Sequence, residues 1–322
     1  GVPALRSVVL VGLFILIDTG QALTMDWAEK RKWDATRMGE QYVRQTVLVL
    51  HSGVAMLSGL AVAAHYNGLP GVFSCLDFAL FLKFLPVSVL FTLGVSFKMM
   101  AVDHFQAGTI KIFGQLRLPV LALCSTLFLA RSYSVVQWQV IMLISVACFA
   151  FVSLKGQVRA TAGKSWKWTG LAQLLGWVLL NVFGGIVAEH TYKSAPTEAF
   201  YKQKVAEDMG HFLTSLLMLF VVVPRFSPKE NILDRRLRPG GFFDSWDIRT
   251  VSIVVFLFAD AWVGNFLLKE FSGVVRAVAK AFSIAAVYLV SLGYSYDRRR
   301  SPALSLVALI VVQSTVLFAC VR

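Results

Sequence analysis

Two basic side chains, Lys111 and Arg117, lie at the start of the stretch 111–138 (KIFGQLRLPVLALCSTLFLARSYSVVQW), which continues as an apolar run to Ala130 and a predicted turn at 131–134. Lys111 and Arg117 are six residues apart, which at about 1.5 Å per residue places them roughly 9 Å apart along one helix. A guanidinium this far inside an apolar helix normally faces a protein interior or a wet cavity, so Arg117 is a candidate anion-binding residue. The position also fits a helix-end side chain that reaches water, or half of an internal ion pair.

The composition is that of a polytopic membrane protein. The 322 residues are 57% hydrophobic and only 15% charged, with a mean hydropathy of +0.68. The net charge is +13, but the basic residues lie between apolar segments, where they determine topology or contact lipid headgroups rather than nucleic acid. The four cysteines and five histidines have no metal-binding spacing, and no catalytic constellation is present, so we predict neither a cofactor nor an enzyme.

Apolar segments long enough to cross a bilayer recur along the whole chain. The sequence therefore predicts an all-α membrane protein, a single domain over residues 1–322 without a soluble part. Ten spanning helices are expected, near residues 5–26, 41–65, 77–100, 105–130, 134–154, 168–190, 207–224, 248–269, 273–294 and 302–321.

The stretch 115–138 resembles the fourth and fifth helices of the nucleotide-sugar transporters, whose pattern is YQLK(I/L)xxTALFSxxxLxRxLSxxQW. These transporters belong to the drug/metabolite transporter superfamily, and the likeness is to the CMP-sialic acid, UDP-galactose and UDP-N-acetylglucosamine branch. The matching residues fall in register without a gap: Gln115, Leu116, Ala122, Ser125, Leu129, Arg131, Ser134, Gln137 and Trp138.

The resemblance extends over nearly the whole chain. Further matches are Ala22–Met25, Gly185, Glu189, Gly241, Phe242, Phe243, Lys269, Ser283 and Ile284. It implies two five-helix halves, about 1–154 and 168–322, related by inverted repetition, with the substrate between them. In a transporter, several glycines would permit close helix approach and rocking, although each could equally serve helix packing without motion: Gly94, Gly108, Gly114, Gly184 and Gly185.

The resemblance further implies a substrate site. Arg117 and Arg276 stand where the family has two lysines that hold the nucleotide phosphates, and arginine can bind phosphate in a bidentate way. Gln115, Ser96 and Asn265 would offer hydrogen bonds. Lys111 and Lys280 add cations that the family does not require, and Lys280 lies one turn after Arg276 on the same helix face. These lysines could instead form ion pairs with an acidic residue: Glu270, Asp260, Glu207 or Asp208.

Other family positions are substituted. Gly94–Ser96 replace a QNN triplet, and Phe200–Val205 replace WxRNxQ, so groups that would bind base and ribose are lost.

One hypothesis is a secondary transporter that exchanges a nucleotide-sugar, a nucleoside monophosphate or another anionic solute across a Golgi or ER membrane by alternating access. The alternative is a degenerate transporter-like subunit that no longer transports and that binds lipids or other membrane subunits.

The basic connections leave the orientation open. Residues 27–44, 155–168, 225–249 and 297–300 hold 18 of the 31 lysines and arginines, and a ten-helix topology puts all four connections on one face. The positive-inside rule places this face in the cytosol and both termini opposite. The family resemblance implies cytosolic termini.

Overall fold

The computed structural model describes residues 4–34, 42–101, 113–114, 116–157, 168–226, 231–234, 240–294 and 302–320. The regular elements among these residues are helices. We number the main helices α1 (Ala4–Asp34), α2 (Arg44–Cys75), α3 (Phe78–Ala101), α4 (Arg117–Phe128), α5 (Val135–Gln157), α6 (Trp168–Ser194), α7 (Phe200–Leu217), α8 (Ile248–Glu270), α9 (Gly273–Tyr294) and α10 (Pro302–Cys320).

Within the part of the chain that the structure describes, six helical segments are long and apolar enough to cross a membrane: Arg6–Thr24, Arg44–Cys75, Phe78–Lys98, Trp168–Ser194, Phe200–Arg225 and Ile248–Glu270. Large apolar side chains such as Leu16, Leu57 and Leu127 are exposed, as expected for helices that face hydrocarbon. The predicted all-helical membrane fold is therefore confirmed. The count of ten spans and the inverted repeat stay predictions.

The helices are grouped in two compact units. The first comprises residues 1–19, 93–190 and 267–322, and the second comprises residues 20–92 and 191–266. Each unit combines segments from both halves of the chain, so four helices, α1, α3, α6 and α8, contribute one part to each unit.

The core of the first unit is formed by α4, α5, α9 and α10, with buried side chains of α6 packed against them. Within it α10 packs along α5 and α9, and α4 contacts α9. The buried side chains are aliphatic or small, which permits close helix packing; they include Leu118, Leu121, Ile141, Ile144, Val274, Ala277, Ala281, Ala308 and Val311. A close approach also occurs between α3 and α6, where a β-carbon at Gly94 would lie 2.6 Å from Asn181 Nδ2.

The second unit is organised around the pair α2 and α7. Glycines lie where α7 meets its neighbours: a β-carbon at Gly59 of α2 would lie 2.5 Å from Val205 Cγ2, and one at Gly210 would lie 2.5 Å from Ser88 Oγ on α3. After Leu217, α7 continues through a π-helical turn, Met218–Val222, and a last helical turn, Val223–Phe226.

Three helices extend well beyond their predicted bounds, and one of them, α7, begins at Phe200, seven residues before the predicted start at residue 207. α1 continues to Asp34 although a polar connection was expected from residue 27. α2 extends to Cys75, ten residues beyond the predicted end, and contains a break at Gly68, where φ is 61° and ψ is −156°. Only glycine adopts this conformation readily, and Pro70 follows it, which explains a break in the helix. The turn predicted at 131–134 lies between α4 and α5, as expected.

Candidate functional site

The helices that carry the two candidate phosphate-binding arginines contact each other in the first unit. Arg117 is the first residue of α4 and Arg276 is the fourth of α9, and both are half-buried. A β-carbon at Gly273 would lie 3.6 Å from Leu121 Cδ2, so the first turns of the two helices meet. Two arginines far apart in sequence are thus carried by adjoining helix segments.

The basic face of α9 lies against α1. The Arg276 guanidinium carbon lies 5.9 Å from the ring centroid of Phe14, and Lys280 Nζ lies 5.7 Å from the same centroid. Lys280 Nζ is also 3.2 Å from Asp18 Oδ1, and Ser283 donates a hydrogen bond to Asp18 Oδ2. Both cations therefore interact with one buried aromatic ring.

Lys280 forms a salt bridge with Asp18, which is not one of the acidic partners expected from the sequence. The geometry explains the pairing: Phe14 and Asp18 are one turn apart on α1, as Arg276 and Lys280 are on α9. Of the acidic residues considered instead, Glu207 and Asp208 belong to the second unit and bind Lys204.

The other predicted site residues are distributed over both units. Ser96 is buried in the part of α3 that belongs to the first unit. Asn265 is buried in the second unit, where its Nδ2 donates to Glu207 Oε2 at 2.6 Å. Several predicted positions lie outside the described residues or side chains: Lys111, Gln115, Gly108, Lys30–Lys32, Arg235, Arg236, Arg238 and Arg298–Arg300.

Two family-pattern residues form a partly buried ion pair. Arg131, in the turn after α4, donates from Nη2 to Glu189 Oε1 of α6. Glu189 Oε2 accepts the backbone N–H of Gly273 at 2.8 Å, at the start of α9. A carboxylate at a helix N-terminus satisfies an unpaired N–H and interacts favourably with the helix dipole. The pair thus connects α6, the α4–α5 turn and the helix that carries Arg276.

Two other family-pattern residues begin α5. Ser134 Oγ accepts the backbone N–H of Gln137 at 3.2 Å, and Gln137 Oε1 accepts the backbone N–H of Ser134 at 2.9 Å. This reciprocal arrangement is a capping box, which satisfies two N–H groups at the helix start. The S-x-x-Q spacing in the sequence is therefore explained by helix capping.

A charged cluster that sequence reasoning missed lies in the second unit. Lys204, Glu207 and Asp208 are almost completely buried within little more than one turn of α7. Lys204 Nζ lies 3.3 Å from Glu207 Oε2 and 2.5 Å from Asp208 Oδ1. Tyr192 and Asn265 also donate hydrogen bonds to Glu207 Oε2. The spacing K-x-x-E-D is the sequence signal, because residues three and four apart share a helix face.

Comparisons with known proteins address the family and the fold separately. A model of the nucleotide-sugar transporter family matches residues 9–319. No curated protein sequence matches significantly. One similar crystal structure, described only as that of a protein, superposes with a TM-score of 0.63 at 12% identity. The superposition covers 96% of this chain and 94% of the other, so the fold is shared along nearly the entire length.

The family model thus covers the Arg131–Glu189 pair, the capping box of α5 and the helices that carry Arg117 and Arg276. The apolar helices indicate an integral membrane protein. The chain belongs to the nucleotide-sugar transporter family.

Proposed function

We propose that this protein is a secondary transporter that exchanges a nucleotide-sugar, or a related phosphate-bearing solute, across a Golgi or ER membrane by alternating access. Membership of the nucleotide-sugar transporter family supports transport of this solute class. The observation that supports this site is the direct contact between α4 and α9, the helices that carry the two candidate arginines.

In this proposal Arg117 and Arg276 bind the phosphate groups of the solute. A guanidinium presents a rigid fork of N–H donors that matches phosphate oxygens, and charge-assisted bonds of this kind are short and strong. Because the first turns of α4 and α9 meet near Leu121 and Gly273, the two side chains start from neighbouring backbone segments. Glu189 supports this arrangement by binding the backbone of Gly273.

Lys280 would add a third cation for the same solute. Arg276 and Lys280 both contact the Phe14 ring, and two like charges this close to one ring repel each other in a low-dielectric environment. Asp18 offsets part of that repulsion through its salt bridge to Lys280. A bound phosphate would offset more of it, which favours anion binding at this face of α9.

The test is uptake of labelled nucleotide-sugars into liposomes that contain the purified protein and are preloaded with nucleoside monophosphates. We expect saturable uptake that Arg117→Ala and Arg276→Ala each reduce. A hydrogen bond between charged groups contributes about 1.5–3 kcal/mol, which corresponds to roughly a 10- to 100-fold fall in kcat/KM. Arg276→Lys keeps a point charge and should retain an intermediate rate.

Lys202→Ala is the matched control. It also removes a cation, but one in a partly exposed pair 3.8 Å from Glu198, so uptake should stay at the wild-type rate. A folded protein that exchanges no phosphate-bearing solute would contradict the proposal. That result would favour the alternative function of a non-transporting membrane subunit.

A further inference from the structure

The buried cluster on α7 carries an excess of negative charge when all its acidic groups are ionised. Lys204 contributes one positive charge and the carboxylates of Glu207 and Asp208 contribute two negative charges, which leaves one negative charge in the set. All three side chains are at most 1% exposed. An uncompensated charge is costly inside a protein that is itself surrounded by hydrocarbon, so a neutralising ligand is expected.

Glu207 has the surroundings of an ionised carboxylate. Its Oε2 accepts hydrogen bonds from the Tyr192 hydroxyl, from Lys204 Nζ at 3.3 Å and from Asn265 Nδ2 at 2.6 Å. Its Oε1 lies 3.3 Å from His211 Nε2. An acceptor-only group with this many donors is stabilised in its charged form.

Asp208 has different surroundings. Its Oδ1 accepts from Lys204 Nζ at 2.5 Å, whereas its completely buried Oδ2 has no hydrogen-bond partner among the described residues. A buried carboxylate oxygen without a donor is unusual, because each buried polar atom normally has a partner. This oxygen is therefore the atom of the cluster that is best placed to bind the missing positive charge.

His211 can take its part in the cluster as a neutral ring. Its Nδ1 lies 3.0 Å from Thr92 Oγ1 on α3, so a hydroxyl donor can satisfy this nitrogen while Nε2–H donates to Glu207. Among the described residues, Tyr192 from α6 and His51 from α2 also interact with the cluster. Neither adds a positive charge in its ordinary neutral form.

We propose that Asp208 Oδ2 is a proton-binding site, and that the bound proton makes the cluster of Lys204, Glu207 and Asp208 neutral. The step is the transfer of one proton from a hydronium ion to the carboxylate: one O–H bond of the hydronium ion breaks, one O–H bond forms on Oδ2, and a water molecule is released. A metal cation fits less well, because the ammonium group of Lys204 already lies 2.5 Å from the other oxygen of the same carboxylate and would repel it.

The consequence for transport rests on the proposed function. If the chain exchanges solutes by alternating access, a proton site in the membrane-spanning part of α7 can bind a proton on one side and release it on the other. The uptake rate should then respond to a pH gradient across the vesicle membrane. Proton binding itself can be measured without transport.

The first experiment is infrared spectroscopy of the purified protein at neutral pH. We expect a C=O stretching band from a protonated carboxylic acid. This band should shift when all aspartates carry a ¹³C-labelled carboxyl group, and it should disappear in Asp208→Asn. Glu198→Gln, which changes an exposed carboxylate, should leave the band in place. Asp18→Asn and Asp260→Asn test the other aspartates inside membrane-spanning helices.

If Asp208→Asn does not fold, the assignment to Asp208 relies on two other results. The acid band of the wild-type protein should shift with ¹³C-aspartate labelling, and it should persist in Asp18→Asn and in Asp260→Asn. Any of three results would overturn the proposal. The spectrum could lack an acid band, the band could stay unshifted with ¹³C-aspartate labelling, or it could persist in folded Asp208→Asn.

The second experiment is uptake with and without an imposed pH gradient. The uptake rate of the wild-type protein should change when a pH gradient is imposed, whereas the uptake rate of Asp208→Asn should stay the same. Uptake that depends instead on a sodium gradient, or that is indifferent to both gradients, would contradict proton coupling. An acid band without any uptake would contradict only the proposed function.

Discussion

Replacing Arg131 with Gln should destabilise the protein more than replacing its partner Glu189 with Gln. The two side chains form one ion pair, but the Glu189 side chain is 2% exposed and that of Arg131 is 31% exposed. Without Arg131, the Glu189 carboxylate stays buried and loses its charged donor. Without the Glu189 charge, the guanidinium can turn toward solvent.

The expected magnitudes follow from this difference in burial. Removing one partner of a buried pair costs about 3–5 kcal/mol, and partial exposure places Arg131→Gln near the lower end, at roughly 3 kcal/mol. Glu189→Gln keeps an oxygen that can accept the Gly273 N–H and should cost about 1–2 kcal/mol. The double mutant has no buried unpaired charge, so it should be more stable than Arg131→Gln alone.

The assay is the free energy of unfolding in mixed micelles, followed by tryptophan fluorescence as the denaturing detergent is increased. Lys202→Gln, in a partly exposed pair with Glu198, is the control and should cost less than about 1 kcal/mol. The reasoning would be refuted if Arg131→Gln were no more destabilising than Glu189→Gln, or if the double mutant were the least stable of the three.

Two further predictions concern helix packing and capping. Gly210→Ala should destabilise the protein by about 1–3 kcal/mol, because the added β-carbon would lie 2.5 Å from Ser88 Oγ. Gly12→Ala is the control: Gly12 has open space around it, so this change should be neutral in the same unfolding assay. Gln137→Ala should cost about 1 kcal/mol by opening the capping box with Ser134, and Gln137→Glu should restore most of that stability; equal stabilities of the Ala and Glu variants would contradict the capping role.

The sequence identified the important residues of the first unit better than it identified their contacts. The family pattern singled out Arg131 and Glu189, but they are 58 residues apart and only the fold brings them together. The capping box could be read directly, because both partners lie within one helical turn. The contact between α4 and α9 joins the helices of Arg117 and Arg276; the binding of phosphate by these two residues stays a prediction.

The polar interactions of the helix interiors were predictable only in part. Lys280 and its basic face on α9 followed from four-residue spacing, but Asp18 stood inside an apolar segment that gave no sign of its partner. The cluster on α7 was missed because that span was predicted to begin at residue 207, after Lys204. Its remaining donors, such as Tyr192 and Asn265, come from other helices, and pairing between helices depends on tertiary packing.

Trans-stimulation tests the central claim, solute exchange, most directly. The uptake of a labelled nucleotide-sugar is measured with wild-type protein in liposomes that are either empty or preloaded with the nucleoside monophosphate of the same base. The proposed exchange predicts uptake that is several-fold faster into the preloaded vesicles and that saturates with the external solute. Equal uptake into empty and preloaded vesicles would contradict exchange, and uptake no faster than into protein-free liposomes would contradict transport altogether.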